Sequence, residues 1–65
     1  MNIVIGSPVR IRRTGDGVID QFAGQFGRIE DTRQINDGGY RYMQVAVRTD
    51  AGALVWVNDN EVESA

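Results

Sequence analysis

From Tyr40 to Val57 the chain reads YRYMQVAVRTDAGALVWV, and its hydrophobic positions fall into the two-residue period of half-buried strands. Met43, Val45 and Val47 alternate with Tyr42, Gln44 and Ala46, and the β-branched run Val55-Trp56-Val57 predicts a second strand. Asp50-Ala51-Gly52 joins them; a three-residue loop ending in glycine suits a type I turn followed by a residue at positive φ. With Thr49 facing Ala53, antiparallel pairing sets Val47 opposite Val55 and Val45 opposite Val57 on one face. Ala46 then lies opposite Trp56, and Arg48 opposite Leu54, on the other. The first face is the expected core, and the second carries a tryptophan.

The remaining segments are shorter. Val9-Arg10-Ile11-Arg12 alternates, so that Val9 and Ile11 point inward and Arg10 and Arg12 to solvent, and Pro8 fits a strand start where its missing N–H is not needed. Residues 14–20, TGDGVID, have the composition of an irregular loop. Gly24 and Gly27 suggest a bent or bulged entry into a strand over residues 26–32, and residues 35–39, INDGG, read as a turn. Beyond Val57, Asn58-Asp59-Asn60 should break into a short helical turn, because these side chains compete for backbone donors, before a last strand at Glu61-Val62-Glu63. No segment carries an apolar stripe long enough for an amphipathic helix. Five short strands over residues 1–65 predict an all-β fold, a single five-stranded barrel domain. Its expected core is Val9, Ile11, Ile29, Val45, Val47, Val55, Val57 and Val62.

Composition narrows the chemistry. In 65 residues there is no cysteine and no histidine, so disulfides, the common zinc ligands, a nucleophilic thiol and imidazole acid–base catalysis are all excluded. A chain this short hides only about 60% of the surface its unfolded form exposes, and self-association could supply further burial. The net charge is −2, with seven basic residues, all arginine, against nine acids, which disfavours general binding to nucleic acid or anionic lipid. Asp16, Asp20, Glu30 and Asp31 have no calcium-loop spacing and read as solvated carboxylates. The amino terminus MNIVIGSPV shows neither a secretory signal nor a membrane span, and a cytoplasmic location without a membrane partner is the expectation.

The order Gly6-x-Pro8-Val9-Arg10-Ile11, a loop, Gly24-x-x-Gly27-x-Ile29, a hairpin, and the ending Trp56-Val57-x-x-x-Glu61-Val62-Glu63 resembles an SH3-like small barrel of the KOW type over nearly the whole chain. KOW domains bind RNA or polymerase. The opening Gly6 to Ile11 is similar to that of the PsaE family of small photosystem I proteins, whose members dock on a larger complex. Gly24-Gln25, Gly39-Tyr40 and the last hairpin strand are similar to plasmid-borne type II dihydrofolate reductase. The pore motif of that enzyme, Val-Gln-Ile-Tyr, would fall on Leu54-Val55-Trp56-Val57, where neither its glutamine nor its tyrosine stands.

The resemblances imply three readings. The first is a non-enzymatic protein-binding module, an accessory subunit or homo-oligomer, with no catalytic residue, cofactor or metal. The second is a KOW-like RNA- or DNA-binding module, and the third a diverged reductase-like pore enzyme. For a partner-binding face the pattern nominates Tyr42, Gln44, Trp56 and Arg48, flanked by Arg10 and Arg12, because arginine beside aromatics stacks on bases or pairs with acidic groups. Ala46 should leave the Trp56 ring accessible. A one-residue slip would instead turn Trp56 into the core and Val55 and Val57 outward, and the pattern leaves both alternatives open.

Overall fold

All but the last strand pair with a neighbour in sequence. A computed structural model describes residues 3–15 and 17–65, and in it β1 (Pro8–Ile11), β2 (Phe26–Asp37), β3 (Tyr40–Thr49), β4 (Leu54–Asn58) and β5 (Val62–Ser64) form one antiparallel sheet in the order β4-β3-β2-β1-β5. Between β1 and β2 lies one α-helical turn, α1 (Gly17–Asp20), and a 3-10 turn at Asp59–Glu61 leads from β4 into β5. No ladder joins β4 to β5 among the described residues, so the sheet is not closed as a barrel would be. No helix among them is long and apolar enough to cross a membrane.

The register of β3 with β4 is the predicted one: Val45 faces Val57, Ala46 faces Trp56, Val47 faces Val55 and Arg48 faces Leu54. The loop at Asp50-Ala51-Gly52 sets it. The Gly52 N–H donates to the Thr49 carbonyl at 2.9 Å and the Thr49 N–H to Ala53 O at 2.8 Å, with Gly52 at a φ of 95°. Val9, Ile11, Ile29, Val45, Val47, Val55, Val57 and Val62 make one buried cluster, covered in part by Ile3, Ile19, Phe22 and Ala53. Because residues of β1 and β5 share that cluster with residues of β3 and β4, the sheet curls over its own inner face. The eight core positions are those the alternation predicts.

Three local differences have physical causes. Strand β2 does not end near Thr32 but runs to Asp37, and the turn into β3 shrinks to Gly38-Gly39, both at positive φ, which matches the right-handed twist of the flanking strands. The expected bulge is also displaced: pairing of β2 with β3 shifts between Ile29 and Asp31, leaving Glu30 unpaired. Finally, the loop before β2 contains α1, drawn together by Asp20, whose carboxylate accepts from the Thr14 N–H at 2.7 Å and the Gly15 N–H at 3.1 Å. These backbone donors, first of all that of Thr14, hold the Asp20 carboxyl below its ordinary pKa against an opposing desolvation effect. Asp16 lies outside the described residues.

Candidate docking face

The outer surface of β2, β3 and β4 gathers most of the nominated residues. Ala46 and Trp56 lie opposite each other there, Gln44 sits one pair along between Arg33 and Asn58, and Tyr42 follows opposite Ile35. Trp56 is thus on the reverse side from Val55 and Val57, and the one-residue slip is ruled out. The ring is not open, however. The Arg33 guanidinium carbon lies 4.2 Å from the indole centroid, and Ala46 is 1% exposed, so the small neighbour is itself covered and the tryptophan is left half-buried.

A polar chain fixes this arrangement. Arg33 Nε donates to Gln44 Oε1 at 2.9 Å, and Gln44 Nε2 donates to Asn58 Oδ1 at 3.2 Å, crossing three strands in one row. The Asn58 main-chain N–H is in turn held by the Glu61 carboxylate. A guanidinium lying over the indole and bonded through Nε keeps its remaining N–H groups for solvent or a partner. No carboxylate pairs with Arg33 among the described residues. Beyond the end of β4 the strip continues into Tyr42, 36% exposed, and Tyr40, 77% exposed.

The other nominated arginines are placed differently. Arg48 shares the face, but Glu30, the bulged residue, grips it through two contacts, Nε to Oε1 at 3.0 Å and Nη2 to Oε2 at 3.2 Å, while Nη1 donates to Gly52 O. This hydrogen-bonded carboxylate raises the Arg48 pKa from its ordinary value. Arg10 belongs to β1, on the far side of β2 from Trp56. It stands between Phe26 and Glu63, 5.8 Å from the Phe26 centroid and 3.7 Å from a Glu63 carboxylate oxygen. Arg12 follows the end of β1 and donates to the Asn60 carbonyl. Neither flanks the aromatic strip. The residues missed by sequence reading are Arg33 and Ile35, which the bulge and the lengthened β2 bring onto this face.

No family model matches the chain, and no curated protein does either. Among solved structures, the chain is similar to the solution structure of the cyanobacterial cytochrome b6f complex subunit PetP, with 29% sequence identity over 97% of this chain and 80% of that one, and a TM-score of 0.75. The expectation of a cytoplasmic protein is corrected by this likeness, and that of no membrane partner is left without support. Cytochrome b6f is a membrane complex, so the match points away from a purely cytoplasmic setting.

Proposed function

We propose that this chain is a non-enzymatic accessory subunit that docks on a larger protein assembly of the kind to which PetP belongs, using the outer face of β2, β3 and β4. The observation that carries the reading is the likeness to PetP across 97% of the chain. The face supports it physically. Trp56, Tyr42 and Ile35 offer apolar area whose removal from water contributes about 25 cal/mol per Å². Arg33, oriented on the indole without a carboxylate of its own among the described residues, is prepared for an acidic group of the partner. The fold reading that goes with this function is an SH3-like small barrel open at one seam, supported by the curled sheet and the 3-10 turn before its last strand.

Self-association and nucleic-acid binding have no such support. Arg10, Arg12 and Arg13 line one shallow depression, but Glu63 lines it with them and pairs with Arg10, while Arg48 is taken by Glu30 and Arg33 lies on Trp56.

The test uses the tagged chain in its native cells, solubilised in mild detergent and separated by native electrophoresis with mass spectrometry of the bands. Co-migration with a much larger complex, lost in Tyr42→Ala and Arg33→Ala variants that remain folded, is the expected result. Migration of the chain alone, or with nucleic acid only, sinks the proposal.

A further inference from the structure

The two ends of the sheet are unlike. At one end β5 is three residues long and carries Glu63, whose side chain meets Arg10; short length and charge are how natural sheets blunt an edge. At the other end β4 is Leu-Val-Trp-Val-Asn, five residues with no charge, no proline and no bulge against β3. Its free side also carries unused main-chain groups. Because the Thr49 N–H bonds to Ala53 O, the pairs exchanging backbone hydrogen bonds between β3 and β4 are those in step with it, Val47 with Val55 and Val45 with Val57. The N–H and C=O groups of Leu54 and Trp56 therefore point away from β3. No hydrogen bond to them is made by any other loop or side chain of the described residues.

We infer that β4 is a strand-addition site, which takes an extended segment of a protein partner as a sixth strand, hydrogen-bonded to the main chain of Leu54 and Trp56. The chemistry of that segment follows from what surrounds the edge. Leu54 is 45% exposed on the outer face, so an apolar, β-branched residue beside it buries both. Asp50 precedes β4 and Asp59 follows it, both exposed and without an ion pair among the described residues, and no basic residue occurs after Arg48. The segment is therefore uncharged at its centre and basic at its ends. Charge also separates this occupant from a second copy. Two β4 strands paired antiparallel about Val55 bring Asp59 of each chain next to Asp50 of the other, which gathers carboxylates at both ends with nothing opposite them.

The inference rests on the docking reading above in taking the partner to be a protein, but it concerns main-chain groups at the sheet edge rather than side chains on the face. The probe is a synthetic peptide of alternating Val and Thr with Lys at both ends, titrated into the ¹⁵N-labelled chain. Amide exchange of Leu54 and Trp56, rapid in the free protein, should slow by at least about tenfold in the complex, whereas Val55 and Val57 are protected in both. Replacing the terminal Lys by Glu should weaken binding by roughly tenfold. N-methylation of alternate peptide amides should abolish binding in one phase and spare it in the other, which leaves the protein unaltered. Leu54→Pro removes an outward N–H that the ladder does not use, so that variant should fold and fail to bind. Absence of binding, equal effects of the two methylation phases, or binding without protection of Leu54 and Trp56 overturns the inference. Protection of those two amides without peptide, rising with protein concentration, overturns it in favour of a second copy. Tyr42→Ala and Arg33→Ala leave the edge main chain in place. Loss of native co-migration in those variants with peptide binding intact therefore keeps the two readings separate, and failure of either one is seen by itself.

Discussion

Glutamate placed at Val57 and, in a separate variant, at Trp56 should divide the two faces of β4 by free energy. A chain of 65 residues has about 3–10 kcal/mol of stability in total. Val57 is 1% exposed within the aliphatic cluster, and a carboxyl there is forced to stay neutral. Holding it protonated at neutral pH costs about 4 kcal/mol for a pKa raised by roughly three units. Desolvating the neutral group adds about 1–3 kcal/mol, and the lost valine burial about another 1.5 kcal/mol or more. That burden, roughly 7–8 kcal/mol, exceeds most of that stability range, and Val57→Glu should be largely unfolded at about 25 °C.

At position 56 the same side chain points to the outer surface. The variant loses the cation–π contact with Arg33, about 0.5–1 kcal/mol, and part of the indole burial over Ala46. The new carboxylate stays hydrated beside Arg33, where an exposed ion pair returns at most about 1 kcal/mol. A net cost of about 2 kcal/mol leaves most molecules folded. Urea denaturation followed by circular dichroism, with amide spectra to check dispersion, measures both. A folded Val57→Glu together with an unfolded Trp56→Glu would mean that β4 is slipped by one residue, and the docking face and the free edge would both have to be redrawn.

Other perturbations probe separate features. Gly27→Ala sets a methyl against the Arg48 carbonyl oxygen and 2.9 Å from Thr49 Cα, all main chain that cannot step aside, so stability to urea should fall by roughly 1–3 kcal/mol; an unchanged midpoint contradicts the close approach. Val47→Ala, at a fully buried site, should cost about 2 kcal/mol or more by the same measurement. Arg33→Ala should shift Trp56 emission to the red and raise its quenching by iodide at little cost in stability, and equal quenching would show the ring uncovered already. Because the folded Asp20 carboxyl has a pKa below its ordinary 3.8, its contribution is complete above that value and disappears as pH falls through the lower folded value. The Thr14 and Gly15 amide shifts should follow that loss, and Asp20→Asn should abolish it.

The core was legible because it is written twice, once in the alternation of each strand and once in the turn that sets their register. Val45, Val47, Val55 and Val57 could satisfy period two in either of two parities, and the Asp50-Ala51-Gly52 loop chose between them by fixing Thr49 against Ala53. The far half of the β2–β3 hairpin has no such signal. From Arg33 to Arg41 the chain extends past the buried cluster, and both of its sides meet solvent or half-buried neighbours. With no core beneath it there is no hydrophobic alternation to read, and turn-forming residues at 36–39 made a strand look like a loop.

The makeup of the docking face depends on one residue that a pattern cannot place. Ile29 points into the core, and an uninterrupted strand would carry Asp31, Arg33 and Ile35 to that same side. The extra residue at Glu30 reverses the parity of everything after it, so Asp31 pairs opposite Ala46 and Arg33 opposite Gln44 on the outer face. The same bulge frees the Glu30 carboxylate to take Arg48. One irregularity therefore withdraws the arginine that the sequence nominates for the aromatic strip and supplies the arginine that stacks on Trp56. Arg33 can only be recognised once the bulge is located, because its neighbour on the indole is set by long-range register and not by spacing along the chain.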